Sequence, residues 1–389
     1  MEVRAIDTRE GFAELEDEWN ALLACSTSNT VFLTWEWLYL WWDKYKDSSK
    51  QLFIVTVRSD HELVGIAPLY IRKKSTIVTW TTIQFLGSNI VCSDYLDFIT
   101  SNSQKDEIVI KILSYIRSQT YWDVLRISDI PSDSDTFPII ENFFSGYRSW
   151  INDRYTACPF IDLNAGFDAV YDSYDSPLKN MIKRKSRKFF NLNGANYVED
   201  SCKEDLEKAY TDFLNVSELR FKEKKIASPF SQDSFRSFHH SVLKTFHKKG
   251  MARLSFLKIE EKAIAGMYLL IYNNRHYFYQ SGFLPSTGRL SPGTLLMHYS
   301  IKAASDSNAQ EFDFLRGNEQ YKRQWAKLIR YNGLVVIYNN TFRGRVAHIT
   351  SSFISFIHRM KTVVKAIISA LNNLFRMSAG SLEIKMKML

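Results

Sequence analysis

Apolar residues recur along this chain at two periods, and the switches between them mark out elements. Val3–Ile6 is a short strand, after which Phe12, Leu15, Trp19, Leu22 and Leu23 return at helical spacing. Thr34 caps a second helix with the stripe Trp35, Leu38, Trp42 and Tyr45. Leu52–Val57, Leu63–Ile71 and Thr82–Leu86 read as strands, the first two joined through the polar turn Asp60-His61-Glu62. Ser93–Ile99 alternates as a further strand, followed by a helix over 105–117 and a strand at Val124–Ile127. The polar loop Ser128–Asp135 and the patch Trp150–Tyr155 read as exits from this first unit.

A second unit begins near Pro159 and repeats the theme. Phe160–Leu163 is a strand, and helices are expected over 177–191, 203–223 and 232–249. Ala252–Ile259, Ala263–Tyr272 and His276–Gly282 then run as three strands, separated by Glu260-Glu261-Lys262 and Asn273-Asn274. A helix opens after Pro292-Gly293, and strands follow at Glu311–Leu315 and Leu334–Asn339. Hairpin, helix and strand thus occur in both halves, the pattern of two related α+β domains side by side.

Composition removes several classes. With 45% hydrophobic and 24% charged residues the chain is globular rather than disordered, and 15 Gly with 8 Pro exclude a collagen-like or linker-dominated protein. The four cysteines lie tens of residues apart, without a C-x-x-C pair or zinc spacing to a histidine, so no metal is expected. The charged start and the lack of any long uncharged apolar run indicate a cytoplasmic protein without a spanning helix. Net charge is +8, but residues 342–389 hold eight basic residues against Glu383 alone. That tail carries +7 and leaves +1 for residues 1–341, which makes nucleic acid an improbable partner for the body.

Two segments carry candidate chemistry. In Arg289-Leu290-Ser291-Pro292-Gly293-Thr294 a helix opens with Ser291 as N-cap and Pro292 in the first turn. Gly293 lets another group approach the backbone, and Arg289 can pair with a phosphate at the N-terminus. The same pattern also fits an ordinary capped helix. In Phe312-Asp313-Phe314-Leu315-Arg316-Gly317, a strand turns Asp313 away from two aromatics, and a charged cluster with Lys322 and Arg323 follows. His276 and Tyr279, on the preceding strand, are candidates to line an acceptor groove.

The run S-G-F-x6-L-S-P-G-T-L-L followed by E-F-D-F-L-R-G-N-E-Q-Y-K-R-Q-W-A resembles the GNAT-type acyltransferases of the polysaccharide- and cellulose-biosynthesis acetyltransferase family. These are relatives of the FemABX aminoacyltransferases. Phe32-Leu33-Thr34-Trp35-Glu36-Trp37, Trp41-Trp42, Val64–Leu69 and Ser93–Phe98 resemble the family's opening block, so the likeness spans residues 3–340. It implies two tandem GNAT-like domains, 1–155 and 156–341, with acetyl-CoA or another acyl-CoA as co-substrate in the second. By the same resemblance Arg289, Ser291, Gly293 and Thr294 would bind the donor, although the family's Q/R-x-x-G-x-G/A loop is incomplete here. Tyr321-Lys322 matches the family's Y-K pair, with Lys322 assisting acyl transfer and Tyr321 beside it. Asp313, then Asp94, are the candidate general bases, and His276, Tyr279 and Arg316 the acceptor-side residues. The acceptor would be a small molecule or a glycan precursor. The alternatives are aminoacyl transfer from tRNA and a catalytically silent scaffold.

Three features stand outside that reading. His239, His240 and His247 in one helical stretch read as a surface cluster. Lys179, Lys183 and Arg187 share a helix face in a basic run whose buried side is Leu178, Ile182 and Phe189. Residues 342–389, with an apolar stripe and basic charges over 343–377, read as a basic amphipathic helix. It suits a peripheral site on the inner face of a membrane, or packing on protein.

Overall fold

The structure, a computed structural model, describes residues 1–74, 79–88, 90–354 and 360–361. Strand β1 (Glu2–Ile6) leads into helices α1 (Arg9–Ala13), α2 (Glu16–Cys25) and α3 (Trp35–Tyr45). Strands β2 (Lys50–Ser59), β3 (Glu62–Lys74), β4 (Trp80–Phe85) and the two-residue β5 (Ile99–Thr100) precede helix α4 (Lys105–Ser118). Then come β6 (Val124–Pro131), α5 (Thr136–Phe143) and the long β7 (Arg148–Asp162). Helices α6 (Gly166–Ser173) and α7 (Ser176–Phe190), strand β8 (Ala195–Val198), and helices α8 (Leu206–Glu223) and α9 (Asp233–Lys248) follow. The remainder is β9 (Ala252–Ile259), β10 (Lys262–Tyr272), β11 (Arg275–Phe283), α10 (Pro292–Asp306), β12 (Glu311–Asp313), α11 (Gln320–Trp325) and β13 (Leu328–Tyr338). Residues 342–354 are again helical.

The hairpins form where polar residues interrupt apolar runs. Their central residues, Asp60-His61, Glu260-Glu261 and Asn273-Asn274, all take positive φ, which matches the twist of the flanking strands.

The strands share one sheet in the order β1-β2-β3-β4-β6-β13-β7-β12-β11-β10-β9-β8, with β5 against β3. Read inward from either edge, the halves repeat. In the first, β2, β3 and β4 are antiparallel, and β4 then pairs in parallel with β6 across the crossover that holds α4. In the second, β9, β10 and β11 are antiparallel, and β11 pairs in parallel with β12 across α10. The seam is β13, antiparallel to β6 on one side and to β7 on the other.

Three expectations change. Ser93–Phe98 is not a strand: Tyr95 takes a left-handed conformation, and only Ile99–Thr100 pairs, with β3. The segment is a buried loop instead, its Tyr95, Leu96 and Phe98 side chains in the core. Trp150–Tyr155 lies within β7, so position 155/156 falls inside a strand. Leu334–Tyr338 joins the first half's β6 as well as β7.

One apolar core runs through both halves, with Trp37 of α3 edge-on to Phe238 of α9 at 5.1 Å. A second core lies under α6, α7 and α10. Helices α8 and α10 therefore cover opposite faces of β10 and β11, α8 on the first core and α10 on the second. Gly282 makes the α8 contact possible: a Cβ there would come within 2.4 Å of Ser217 Cα.

Candidate active site

Strands β11 and β12 pair only over Arg275–Tyr277 with Glu311–Asp313. Beyond Tyr277, β11 keeps its β10 partner as far as Phe283 but no longer has β12 beside it. The register with β10 shifts where Tyr268 faces Gln280 and Leu269 faces Phe278, which leaves Tyr279 as the extra residue of a bulge. Parallel strands that part this way leave backbone donors and acceptors facing a gap, where an extended ligand can lie.

The gap has two lobes that share Gln280 and Tyr321. The upper lobe, about 280 Å³, is lined by Ser281, Phe283, Gly293, Thr294, Arg220 and Lys224, among others. The start of α10 opens onto it, with Ser291 in the left-handed region and no side-chain cap. A helix N-terminus with two cations nearby is a setting for an anionic group. The lower lobe, about 240 Å³, is lined by Cys92, Asp94, Tyr279, Arg316, Glu319 and Lys322 with apolar neighbours.

The corresponding gap in the first half is closed by its own chain. There the loop after β4 returns along β6, with Leu96 N donating to Asp129 O at 2.9 Å and Phe98 packed on Phe85 at 5.6 Å.

Lys322 is buried on the short helix α11. Its Nζ donates to Arg316 O at 2.6 Å, pairs with Glu319 at 3.1 Å and reaches Leu315 O at 3.4 Å. Tyr321 is 42% exposed. The surrounding protein, with the Glu319 carboxylate, pushes its phenol up, so it stays protonated.

Arg316 joins the halves. Its amide and Nε donate to Asp94 at 3.0 Å each, and Nη2 donates to Asp129 at 2.9 Å. Asn332 Nδ2 donates to Asp94 at 2.8 Å. Asp94 thus faces the lower lobe, but its oxygens are engaged by Arg316 and Asn332.

Asp313 is fully buried and lines neither lobe. Its carboxylate accepts from Tyr95 Oη at 2.7 Å and from Leu315 N at 2.7 Å. Burial pushes its pKa up to about 7, against the pull of Arg330.

The remaining sequence candidates divide. Gly293, Thr294, Tyr279 and Arg316 reach the gap. Arg289 is exposed in the preceding turn, its carbonyl accepting from Lys185 Nζ at 2.5 Å, and neither it nor Ser291 lines a lobe. Ser291 occupies the N-cap position without making the capping bond expected of it. His276 lies where β11 and β12 are still paired, so it does not reach the gap; burial takes its pKa down to about 4. Tyr279 Oη donates to Val91 O at 2.6 Å and meets His239 Nε2 at 2.9 Å.

His239 is therefore not a surface residue. It is fully buried and neutral, with burial lowering its pKa to about 3. His247 meets Asp200 at 3.2 Å, and their ligand atoms lie with that of Cys202 within 4.8 Å of one another. Burial pushes the Cys202 thiol up to about 12. Sequence reasoning missed Arg220, Lys224, Gln280 and Glu319. The basic run Arg220–Lys225 and the position of Glu319 beside Tyr321-Lys322 were the available signals.

Residues 177–323 match the family described as an acetyltransferase (GNAT) domain, a span that contains α8, β11, α10 and Lys322. The protein is an acyltransferase with an α+β, GNAT/FemABX-related fold. Among solved structures, FemX is similar at a TM-score of 0.61 and 11% identity over 87% of this chain and 98% of its own. A conserved protein of unknown function from Bacteroides thetaiotaomicron gives 0.55 at 9% identity, over 87% and 100% of the two chains. L-PGS from Bacillus licheniformis gives 0.51 at 11%, over 86% and 96%. At these identities the likeness is one of fold. No curated protein matches the chain in sequence.

Proposed function

We propose that this protein transfers an acyl group, acetyl above all, from acyl-CoA to an amine or hydroxyl of a sugar or glycan precursor. This reading places it with the polysaccharide-biosynthesis branch, acting in the cytoplasm or on the inner face of a membrane. The first half is a second GNAT-like unit that has lost its donor gap, a view supported by the repeated strand order and the loop that fills β4–β6. The observation that carries the proposal is the β11–β12 gap, which opens onto an uncapped helix N-terminus inside the GNAT match.

The donor's phosphates lie at Gly293 and Thr294 with Arg220 and Lys224, and its pantetheine arm runs along the unpaired edge of β11. The thioester then reaches Gln280 and Tyr321, where the lobes meet. The acceptor enters the lower lobe and attacks the carbonyl carbon. Glu319, the carboxylate with a path to solvent there, takes its proton, a task that Asp94 and Asp313 are too enclosed to perform. Lys322 exchanges its longest contact, to Leu315 O, for the developing oxyanion. As the C–S bond breaks, the Tyr321 phenol, which stays protonated, donates a hydrogen bond to the departing thiolate; the thiolate takes a proton from solvent, and Glu319 releases to solvent the one it accepted. Positioning supplies much of the remaining rate.

Calorimetric titration of the full chain with acetyl-CoA tests the reading. Saturable binding that weakens on Arg220→Ala supports it, and no binding by folded protein refutes it. The likeness to FemX over nearly its whole length favours one second reading, aminoacyl transfer from aminoacyl-tRNA. Transfer from that donor in the absence of acyl-CoA binding would select it.

A further inference from the structure

The helix over 342–354 has two apolar sides, and among the described residues only one of them meets the rest of the protein. Ala347 is buried with Trp80, Val124, Leu334, Val336 and Tyr338, on the face of the sheet formed by β4, β6 and β13. Gly344 brings the same side close: a Cβ there would come within 3.0 Å of Asn339 C. His348 meets the Tyr338 ring at 4.9 Å.

Phe342, Ile349 and Phe353 lie about seven and four residues apart, which puts them on the opposite side of a 3.6-residue helix. They are 79%, 67% and 62% exposed. Arg343 and Arg345, both exposed, fall on the two flanks of that stripe. Trp150, 44% exposed and paired in register with Val336, extends the apolar surface along the same face of the sheet. Large exposed aromatics grouped this way are uncommon on a protein with no partner.

We infer that this face lies in the plane of a lipid leaflet containing anionic headgroups. The stripe enters the headgroup–acyl boundary, and the flanking arginines pair with phosphates. Charge favours a membrane over a second copy of the chain. Arg343 and Arg345 flank the stripe, so a self-complementary contact would bring like charges together, whereas an anionic leaflet neutralises them. This contact is independent of which donor fills the β11–β12 gap.

Flotation of the full chain with phosphatidylcholine vesicles, with and without phosphatidylglycerol, tests it. The chain is expected to float with the anionic vesicles and to lose affinity as salt rises. The triple variant Phe342→Ser, Ile349→Ser, Phe353→Ser changes only exposed side chains and should lose binding by at least tenfold. Arg343→Gln with Arg345→Gln should weaken it roughly twenty-fivefold, at about fivefold for each charge. Flotation of the triple variant at the parent's affinity would overturn the inference. So would a parent chain that ignores both vesicles, or one that sediments as a dimer through this face instead of floating.

Discussion

Gly282 to Ala is a one-carbon perturbation with a large expected effect. The added Cβ would lie 2.4 Å from Ser217 Cα, 2.6 Å from Ser217 N and 2.6 Å from Val216 O. All three are backbone atoms of α8, so no side chain can rotate to make room. Ordinary carbon contacts are about 3.5–4.0 Å, so helix and strand must separate by about 1 Å. A gap of that size forfeits a quarter to a half of the dispersion energy along the interface. The interface includes the buried Phe213 and Val216 of α8. Overpacking of this kind costs about 1–3 kcal/mol, and rigid backbone on both sides points to the upper end. Urea unfolding should show the loss as a lower midpoint at unchanged slope. Because Arg220 rides on α8, acetyl-CoA affinity should fall as well. Gly288 is the control: a Cβ there meets nothing within 4 Å, so Gly288→Ala should be neutral. A Gly282→Ala loss below about 0.5 kcal/mol, the range of inconsequential surface changes, would refute the close approach.

Lys322→Ala should lower turnover by about a hundredfold or more, against a stability loss of about 1–3 kcal/mol from the carbonyls it leaves unpaired. Steady-state kinetics beside urea unfolding separate the two, and recovery of stability but not turnover in Lys322→Arg would mark the ammonium as specific to the reaction. Arg316→Met should cost about 3–5 kcal/mol in urea unfolding, since it strands the buried Asp94 and Asp129. Adding Asp94→Asn should recover part of that loss. Asp313 has a folded-state pKa raised from 3.8 to about 7, so the fold favours its neutral form. Its contribution is full below its ordinary range and is lost as pH rises through about 7. Asp313→Asn should flatten the decline of the urea midpoint between about pH 4 and 7, and an unchanged profile would contradict the shift.

Periodicity located most of the secondary structure because the buried stripes are long and the hairpins are marked by polar dipeptides. Ser93–Phe98 misled because a buried loop alternates as a strand does when its apolar side chains plug a core. The Tyr279 bulge was invisible for a related reason: one extra residue in β11 leaves no trace in composition. Gly293, Thr294 and Lys322 were legible as a helix start and a Y-K pair. Arg220 and Lys224 were not, because they reach the gap only through the packing of α8 on β11. Asp94 and Asp313 read equally as general bases or as structural strand-end carboxylates, and only three-dimensional neighbours such as Arg316, Asn332 and Tyr95 reveal how enclosed they are. Residues 355–359 and 362–389, most of the tail read as an amphipathic helix, lie outside the described residues.

The seam strand β13 has a consequence for how the chain reaches this state. During synthesis, β6 at Val124–Pro131 emerges about two hundred residues before Leu328–Tyr338, its antiparallel partner. Until then β6 presents an unpaired edge, with Leu125 and Ile127 awaiting the complete core. Closing so long a loop makes this pairing among the slowest events available. The N-terminal half would therefore leave the ribosome as an unfinished sheet, exposed to edge-to-edge association until the last strand arrives. Truncation before residue 328 should yield aggregating material, even though the missing strand is distant in sequence from every element of the first half.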